Sequence, residues 1–103
     1  MNISPLELSA RLAAGDSLVL LDVREADELA HSCLAGVVHI PMGDVVDRLD
    51  ALSVDDEIVV ICRTGVRSAR VQQYLLGRGF GRVLNLTGGM NAWVMAFSDG
   101  EIY

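Results

Sequence analysis

Apolar residues along the chain form short continuous runs, and segments with helical spacing separate these runs. A short continuous apolar run is typical of a strand that is buried on both faces of a parallel sheet. Helical segments between such strands pack on the two faces of the sheet. The pattern therefore predicts an α/β fold, with one parallel sheet of about five strands and helices on both faces. The predicted strands cover residues 18–23, 37–40, 58–62 and 83–86.

Helix signals lie before and between the predicted strands. Ser4 and Glu7 have the spacing of a capping box, and Pro5 suits the first helical position. A stripe of apolar residues follows, and Gly15 ends it. Residues 98–103 give no clear signal. Further helices are predicted over residues 25–30, 44–52 and 68–76, with a last one starting at residues 88–89.

Composition and charge fit one globular domain over residues 1–103. Hydrophobic residues make up 51% of the chain and charged residues 21%, which favours a real core over disorder. The net charge of −6 argues against nucleic acid or an anionic membrane as the main partner. The basic residues, all arginine, nevertheless concentrate in and after the loop at Cys62, where an anionic substrate would bind. We interpret Arg70, Arg78 and Arg82 as ordinary solvated residues.

The cysteines and the N-terminal residues indicate the compartment. Two cysteines make no disulfide framework, and they lack the paired spacing of a zinc site. Residues 1–5 have neither a basic flank nor an apolar stretch of signal length, and no segment approaches a transmembrane span. We therefore expect a soluble protein of the reducing cytoplasm, with no metal and no organic cofactor.

The segment Cys62-Arg63-Thr64-Gly65-Val66-Arg67-Ser68 is the strongest chemical signal. Its cysteine ends a buried strand, and the turn after it opens a helix. The thiolate is the reactive form of cysteine, and a helix N-terminus or neighbouring arginines lower the thiol pKa. Unpaired backbone N–H groups at the start of the helix would also hold an anion in the turn. We therefore interpret Cys62 as an activated nucleophile and not as an inert buried thiol.

The other loop residues are candidate substrate-binding groups. Thr64, Gly65, Val66 and Ser68 are expected to contribute backbone N–H groups. The Ser68 hydroxyl either donates to the thiolate or caps the helix, and we favour capping.

The two arginines of the loop are candidate anion-binding groups. Arg67 lies in the first helical turn, where the helix dipole disfavours a cation, so we favour a functional role for it. Arg63 either steers anionic donors or only faces solvent. No histidine or aspartate has the spacing of a general base for Cys62.

Three residues outside the loop are candidates for structural support. Asp22 and Arg24 follow a buried strand, and we interpret them as a structural ion pair or a loop brace. Trp93 is interpreted as core or as pocket wall.

Cys33 and the two histidines have weaker signals. Cys33 is interpreted as buried filler, with a resolving thiol and an exposed bystander as the alternatives. His31 and His39 are interpreted as structural.

Three motifs in this order resemble the rhodanese-like (sulfurtransferase) domain family. Residues 21–25, with Glu28, are similar to the family's Asp-x-Arg signature. Residues 62–68 are similar to its Cys-x-x-Gly-x-Arg-Ser loop, and residues 86–93 to its closing Gly-Gly-x-x-x-Trp. One departure is visible, because Cys33 stands where the family usually has histidine.

The resemblance implies a thiosulfate sulfurtransferase that works through a persulfide on Cys62. The implied partners are a small anionic sulfur donor and a cyanide or thiol acceptor. The alternative is a sulfur-carrier or protein-interaction module, which passes its sulfur to a specific protein and turns over small molecules poorly. A third reading is a thiol phosphatase or arsenate reductase. The loop from Cys62 to Arg67 opposes it, because phosphatases on this scaffold carry a loop one residue longer.

Overall fold

A five-stranded parallel sheet organises the chain in the computed structural model, which describes residues 1–97. The strand order is β1-β5-β4-β2-β3, and every neighbouring pair is parallel. The predicted fold class is therefore confirmed, with β4 at the centre of the sheet. The predicted domain extends to residue 103, and its last six residues lie outside the described part. The strands are β1 (Asn2–Ile3), β2 (Val19–Asp22), β3 (Val38–His39), β4 (Glu57–Ile61) and β5 (Arg82–Leu86).

Helices cover both faces of the sheet, as the alternation of patterns predicts. On one face α3 packs with two 3₁₀ helices over a cluster that includes Val60, Val71 and Leu75. On the other face α1 and α4 pack over a cluster that includes Leu8 and Trp93. The sheet is thus buried on both sides, which explains why its strands are continuous apolar runs. The helices are α1 (Pro5–Ala13), α2 (Ala26–Leu29), α3 (Val66–Gly77) and α4 (Gly89–Ala96), with 3₁₀ helices at Met42–Asp44 and Val46–Ala51.

The helix predicted over residues 44–52 is wrong in type. The structure has two 3₁₀ helices there, and Arg48 interrupts the second with non-helical dihedrals of φ −122° and ψ 25°. Val45 and Leu52 still reach the core. The apolar pattern therefore identified the inward face, but spacings of three and four residues do not separate a short 3₁₀ helix from an α-helix.

The two-residue strand β1 escaped prediction because so short an element has no readable periodicity. By contrast, the signals at the start of α1 are confirmed in detail. The Ser4 Oγ accepts a hydrogen bond from the Glu7 N–H at 3.1 Å, and a Glu7 carboxylate oxygen accepts one from the Ser4 N–H at 2.9 Å. Pro5 occupies the first helical position, where its missing N–H costs no hydrogen bond.

The start of α4 packs directly on the backbone that follows β4. The N–H of Met90 donates to the Cys62 carbonyl at 2.8 Å, and the N–H of Asn91 donates to the Arg63 carbonyl at 3.0 Å. Gly89 has a φ of +59°, and a Cβ on it would overlap the Cys62 carbonyl oxygen. Only glycine permits both this left-handed backbone and this close approach.

This packing predicts that Gly89→Ala destabilises the protein more than a change at an equally left-handed glycine with free space. Gly36 provides the control, since its φ is +75° and nothing lies within 4 Å of a Cβ placed there. Gly36→Ala is expected to cost about 1–2 kcal/mol from the backbone conformation alone. Gly89→Ala should cost clearly more, because its Cβ also overlaps backbone atoms. The free energies of unfolding in urea measure both, and equal losses would contradict the packing of α4 on the loop.

Candidate active site

The candidate site forms where β4 ends and α3 begins. Cys62 follows β4 directly, and its side chain has no exposed surface. Gly65 is the N-cap of α3 and has a φ of +97°, so the chain reverses sharply between the strand and the helix. A Cβ on Gly65 would lie 3.3 Å from the Gly88 nitrogen, a tight contact, and the left-handed backbone itself favours glycine there. The helix begins two residues earlier than predicted, because this left-handed turn is shorter than the sequence suggested.

Hydrogen-bond donors surround the sulfur of Cys62. The N–H of Gly65 donates to Sγ at 3.0 Å, and the Ser68 Oγ lies 3.2 Å from it. Burial opposes ionisation of the thiol, but the Ser68 hydroxyl and the N–H groups of Ser68, Gly65 and Thr64 outweigh it and hold the pKa of Cys62 below its ordinary value. This ring of donors, which we call the sulfur cradle, stabilises a negative charge on sulfur.

The preference for Ser68 as a helix cap is wrong. Gly65 caps α3, so Ser68 falls in the first turn of the helix, and its hydroxyl is turned inward. That hydroxyl lies between the Cys62 sulfur and the Asn85 side chain, whose Oδ1 is 2.5 Å away. The alternative role, contact with the thiolate, is the one that this placement favours.

Arg67 pairs with Glu28. Both terminal nitrogens of the guanidinium donate to the Glu28 carboxylate, each at 2.8 Å. These hydrogen bonds lower the pKa of Glu28 to about 2 against the opposing effect of burial, and they raise the pKa of Arg67. The sequence analysis assigned the positive charge of Arg67 to the binding of an anionic substrate, but in the structure this charge is paired with the Glu28 carboxylate. The pair also connects α2 to α3 beside the loop.

Asp22 and Arg24 form a buried ion pair at the end of β2. Arg24 Nη2 lies 2.8 Å from Asp22 Oδ2, and less than a twentieth of either side chain is exposed. Arg24 Nη2 also donates to the Ser32 carbonyl at 2.7 Å, and His39 Nε2 lies 2.7 Å from the Arg24 carbonyl. These contacts hold the segment after β2 against β3, next to the loop.

Arg63 lies on a cleft of about 610 Å³ beside the loop. The side chain of Arg63 is exposed. Met90, Val94 and Met95 of α4 form an apolar wall, and Glu28 also lines the cleft. The cleft therefore offers both a cation and an apolar surface to a molecule that approaches the loop.

Trp93 and Cys33 are not part of the sulfur cradle. Trp93 is fully buried and stacks at a tilt on Phe97, with ring centroids 4.6 Å apart, so it belongs to the core under α4. Cys33 is a free thiol that is partly exposed, unlike a buried filler.

Asn85 is a site residue that the sequence analysis missed. It lies in β5, and its Nδ2 donates to the Gly65 carbonyl at 3.2 Å while its Oδ1 accepts from Ser68. The signal was present, because an amide side chain interrupts the apolar run at residues 83–86 of a strand buried on both faces. A buried polar group needs a partner, and that partner is the loop.

A model of the rhodanese-like domain family matches residues 4–96. The chain belongs to this family. It is 43% identical over 91 residues to the putative sulfurtransferase YtwF of Bacillus subtilis, covering 88% of this chain and 87% of that protein. It is 40% identical over 83 residues to the putative sulfur carrier protein YrkF of the same organism, covering 81% of this chain and 45% of that protein.

Solved structures agree with this assignment. A rhodanese-like domain protein from Staphylococcus aureus has a TM-score of 0.87 and 31% identity, covering all of this chain and 97% of that one. The family relationship supports a role as a rhodanese sulfurtransferase or sulfur carrier. Among residues 1–97, the helices are too short or too polar to cross a membrane.

The sulfur cradle predicts that Ser68→Ala raises the pKa of the Cys62 thiol, because the variant loses one donor to the thiolate. The pH dependence of the ultraviolet thiolate absorbance measures this, with Cys33→Ser as background so that only Cys62 titrates. Ser9→Ala in α1 is the matched control and should leave the titration unchanged. A Ser68→Ala titration identical to that of the unaltered protein would rule out the hydroxyl as a donor to sulfur.

The Arg67–Glu28 pair predicts how stability depends on pH. The pKa of Glu28 is about 2 in the folded protein and ordinarily 4.5, so the pair stabilises the fold fully above about pH 4.5 and loses this effect as pH falls towards 2. Glu28→Gln should lower the free energy of unfolding at neutral pH and flatten its decline between pH 5 and 2. Asp27→Asn, an exposed neighbour on α2, is the control. Parallel stability curves for Glu28→Gln and the original protein would contradict the pairing.

Proposed function

We propose that this protein moves a sulfane sulfur from a small anionic donor such as thiosulfate to a thiophilic acceptor, through a persulfide on Cys62. The observation that carries the proposal is the sulfur cradle: a buried cysteine sulfur that faces several hydrogen-bond donors. Such a site stabilises a thiolate before the reaction and a terminal sulfur anion after it.

In the first step the Cys62 thiolate attacks the outer sulfur of the donor. A new S–S bond forms as the S–S bond of thiosulfate breaks, and sulfite leaves with the electron pair. The negative charge of the enzyme moves from Sγ to the outer sulfur. Because Cys62 is fully buried, the donor must insert its terminal sulfur into the loop, which favours a slender donor over a bulky one.

In the second step the acceptor attacks the outer sulfur of the persulfide. Cyanide forms thiocyanate, a thiol forms a persulfide of its own, and the Cys62 thiolate is restored. We assign the attraction of anions chiefly to Arg63, which is exposed on the cleft. The assigned contribution of Arg67 is smaller, because its charge is shared with Glu28.

A sulfur-carrier role is the second candidate, and the size of the cleft favours it. About 610 Å³ is far more space than cyanide requires, and the apolar wall at Val94 and Met95 suits a larger thiol or the thiol of a protein. A carrier would take sulfur from thiosulfate but release it slowly to cyanide. Steady-state turnover with both small molecules, compared with the rate of loading, distinguishes the two roles.

We also place the protein in the reducing cytoplasm. Both cysteines are free thiols, and a persulfide mechanism needs Cys62 in its reduced form.

The direct test of the proposed function is the intact mass of the protein after incubation with thiosulfate. We expect a gain of one sulfur atom, about 32 Da, that cyanide reverses. Cys62→Ser should lose both the mass gain and sulfur transfer while keeping its fold, as circular dichroism would show. Cys33→Ser is the matched control and should load normally. Loading that survives Cys62→Ser, or that disappears in Cys33→Ser, would disprove the assignment of the nucleophile.

A further inference from the structure

The Ser68 hydroxyl carries one hydrogen but has two neighbours that compete for it. Cys62 Sγ lies 3.2 Å from Ser68 Oγ on one side, and Asn85 Oδ1 lies 2.5 Å away on the other. Cys62 and Ser68 are fully buried, and Asn85 is 9% exposed. A buried hydroxyl of this kind donates to one neighbour at a time, and the other must find its hydrogen bond elsewhere or go without.

The orientation of the Asn85 amide is set by the loop. Its Nδ2 donates to the Gly65 carbonyl at 3.2 Å, so its Oδ1 faces Ser68. The flipped amide would place Oδ1 against the Gly65 carbonyl oxygen, where two acceptors repel each other. Asn85 therefore presents a fixed acceptor to Ser68, and its backbone position in the central part of the sheet keeps it there.

We propose that Asn85 is a positioning residue that makes the Ser68 hydroxyl a two-position switch. When Cys62 is a neutral thiol, its S–H donates to Ser68, and Ser68 donates to Asn85. When Cys62 is a thiolate, Ser68 turns and donates to Sγ. When Cys62 carries a transferred sulfur, Ser68 donates to Asn85 again.

The last state rests on the proposed function. Sulfur transfer converts the Cys62 thiolate into a persulfide, in which Sγ is a neutral divalent sulfur and the charge lies on the outer sulfur. Neutral divalent sulfur is a weak acceptor, so Ser68 gains more from the amide oxygen of Asn85. The outer sulfur then depends on the backbone N–H groups of the cradle.

The switch biases the site towards the loaded form. In the thiolate state the Asn85 Oδ1 loses the donor that Ser68 provides, and a buried acceptor without a donor is unfavourable. In the persulfide state both hydrogen bonds of Asn85 are intact. Asn85 therefore opposes the free thiolate and favours retention of the sulfur, a property that suits a protein which holds sulfur until an acceptor arrives.

Titration of Cys62 in two Asn85 variants tests the switch, with Cys33→Ser as background. Asn85→Leu keeps the branched shape and removes the acceptor, so the thiolate fraction at a fixed pH well below the titration midpoint should rise about tenfold. Asn85→Asp keeps an acceptor there and adds negative charge, so the thiolate fraction should fall. Changes of the same sign in the two variants, or no change in Asn85→Leu, would overturn the proposal.

A double-mutant cycle separates the switch from simple bracing of the loop. In the Ser68→Ala background the hydroxyl is absent, so Asn85→Leu should no longer change the thiolate fraction. Loss of the hydrogen bond to Gly65 would persist in that background, and an undiminished effect there would refute the switch. Asn85→Ala removes the same acceptor with a smaller side chain, and it replaces Asn85→Leu in the cycle if the leucine variant does not fold.

Sulfur loading provides the second readout. The loading is measured at a pH above the titration midpoint of Cys62, where the unloaded site is a thiolate. At a fixed ratio of thiosulfate to sulfite, the Asn85→Leu protein should then hold about tenfold less persulfide relative to unloaded Cys62 than the original protein does. Equal loading of the two proteins would contradict the proposed retention of sulfur. If the original protein never loads sulfur, the proposed function fails while the titration cycle still decides the switch. If it loads and the titrations show no switch, the inference about Asn85 fails alone.

Discussion

The burial of one sulfur atom within hydrogen-bond reach of several donors is the constraint on which the rest of the site depends. A buried thiol would normally stay protonated, because burial disfavours the charged form. Here the hydroxyl of Ser68 and the N–H groups of the loop reverse that tendency and lower the pKa of Cys62. The arrangement needs a chain that leaves the central strand, reverses within three residues and enters a helix. Gly65, with its left-handed backbone, provides that reversal.

The surrounding fold holds this turn in place from three sides. Backbone N–H groups at the start of α4 bind the carbonyls of Cys62 and Arg63, and the Asn85 amide binds the carbonyl of Gly65. The Arg67–Glu28 pair fixes the first turn of α3 to α2. The carbonyl groups of Cys62, Arg63 and Gly65 are thus engaged in these contacts, while N–H groups of the same loop donate to the sulfur. The stabilised negative charge on the Cys62 sulfur depends on this separation of the carbonyl groups from the N–H groups.

Much of the fold and of the site could be predicted from the sequence, because both depend on short-range signals. Continuous apolar runs identified four of the five strands, and the capping residues identified the start of α1. The cysteine, glycine and arginine spacing of the loop identified the candidate nucleophile. The family relationship rests on the same motifs. Each of these features depends on residues that are close together in the sequence, so a sequence pattern can identify it.

What could not be predicted depends on contacts between distant parts of the chain. Nothing local to Arg67 indicates that it pairs with Glu28, and nothing local to Ser68 indicates that its hydroxyl turns inward. Asn85 lies 20 residues from the carbonyl that it binds. The sheet order brings these residues together, and pairing of β5 beside β4 is a property of the folded chain. The 3₁₀ helices after β3 were mistaken for an α-helix for a different reason, since their apolar spacing fits both types.

The ionisation of Cys62 in the unaltered site tests the central claim most directly. The ultraviolet thiolate absorbance of the Cys33→Ser protein, followed against pH, reports that single thiol. The sulfur cradle predicts a titration midpoint below the value of about 8.5 that is typical of a free cysteine. A midpoint at or above that value would contradict the account, because the buried sulfur would then lack the stabilised charge that sulfur transfer requires.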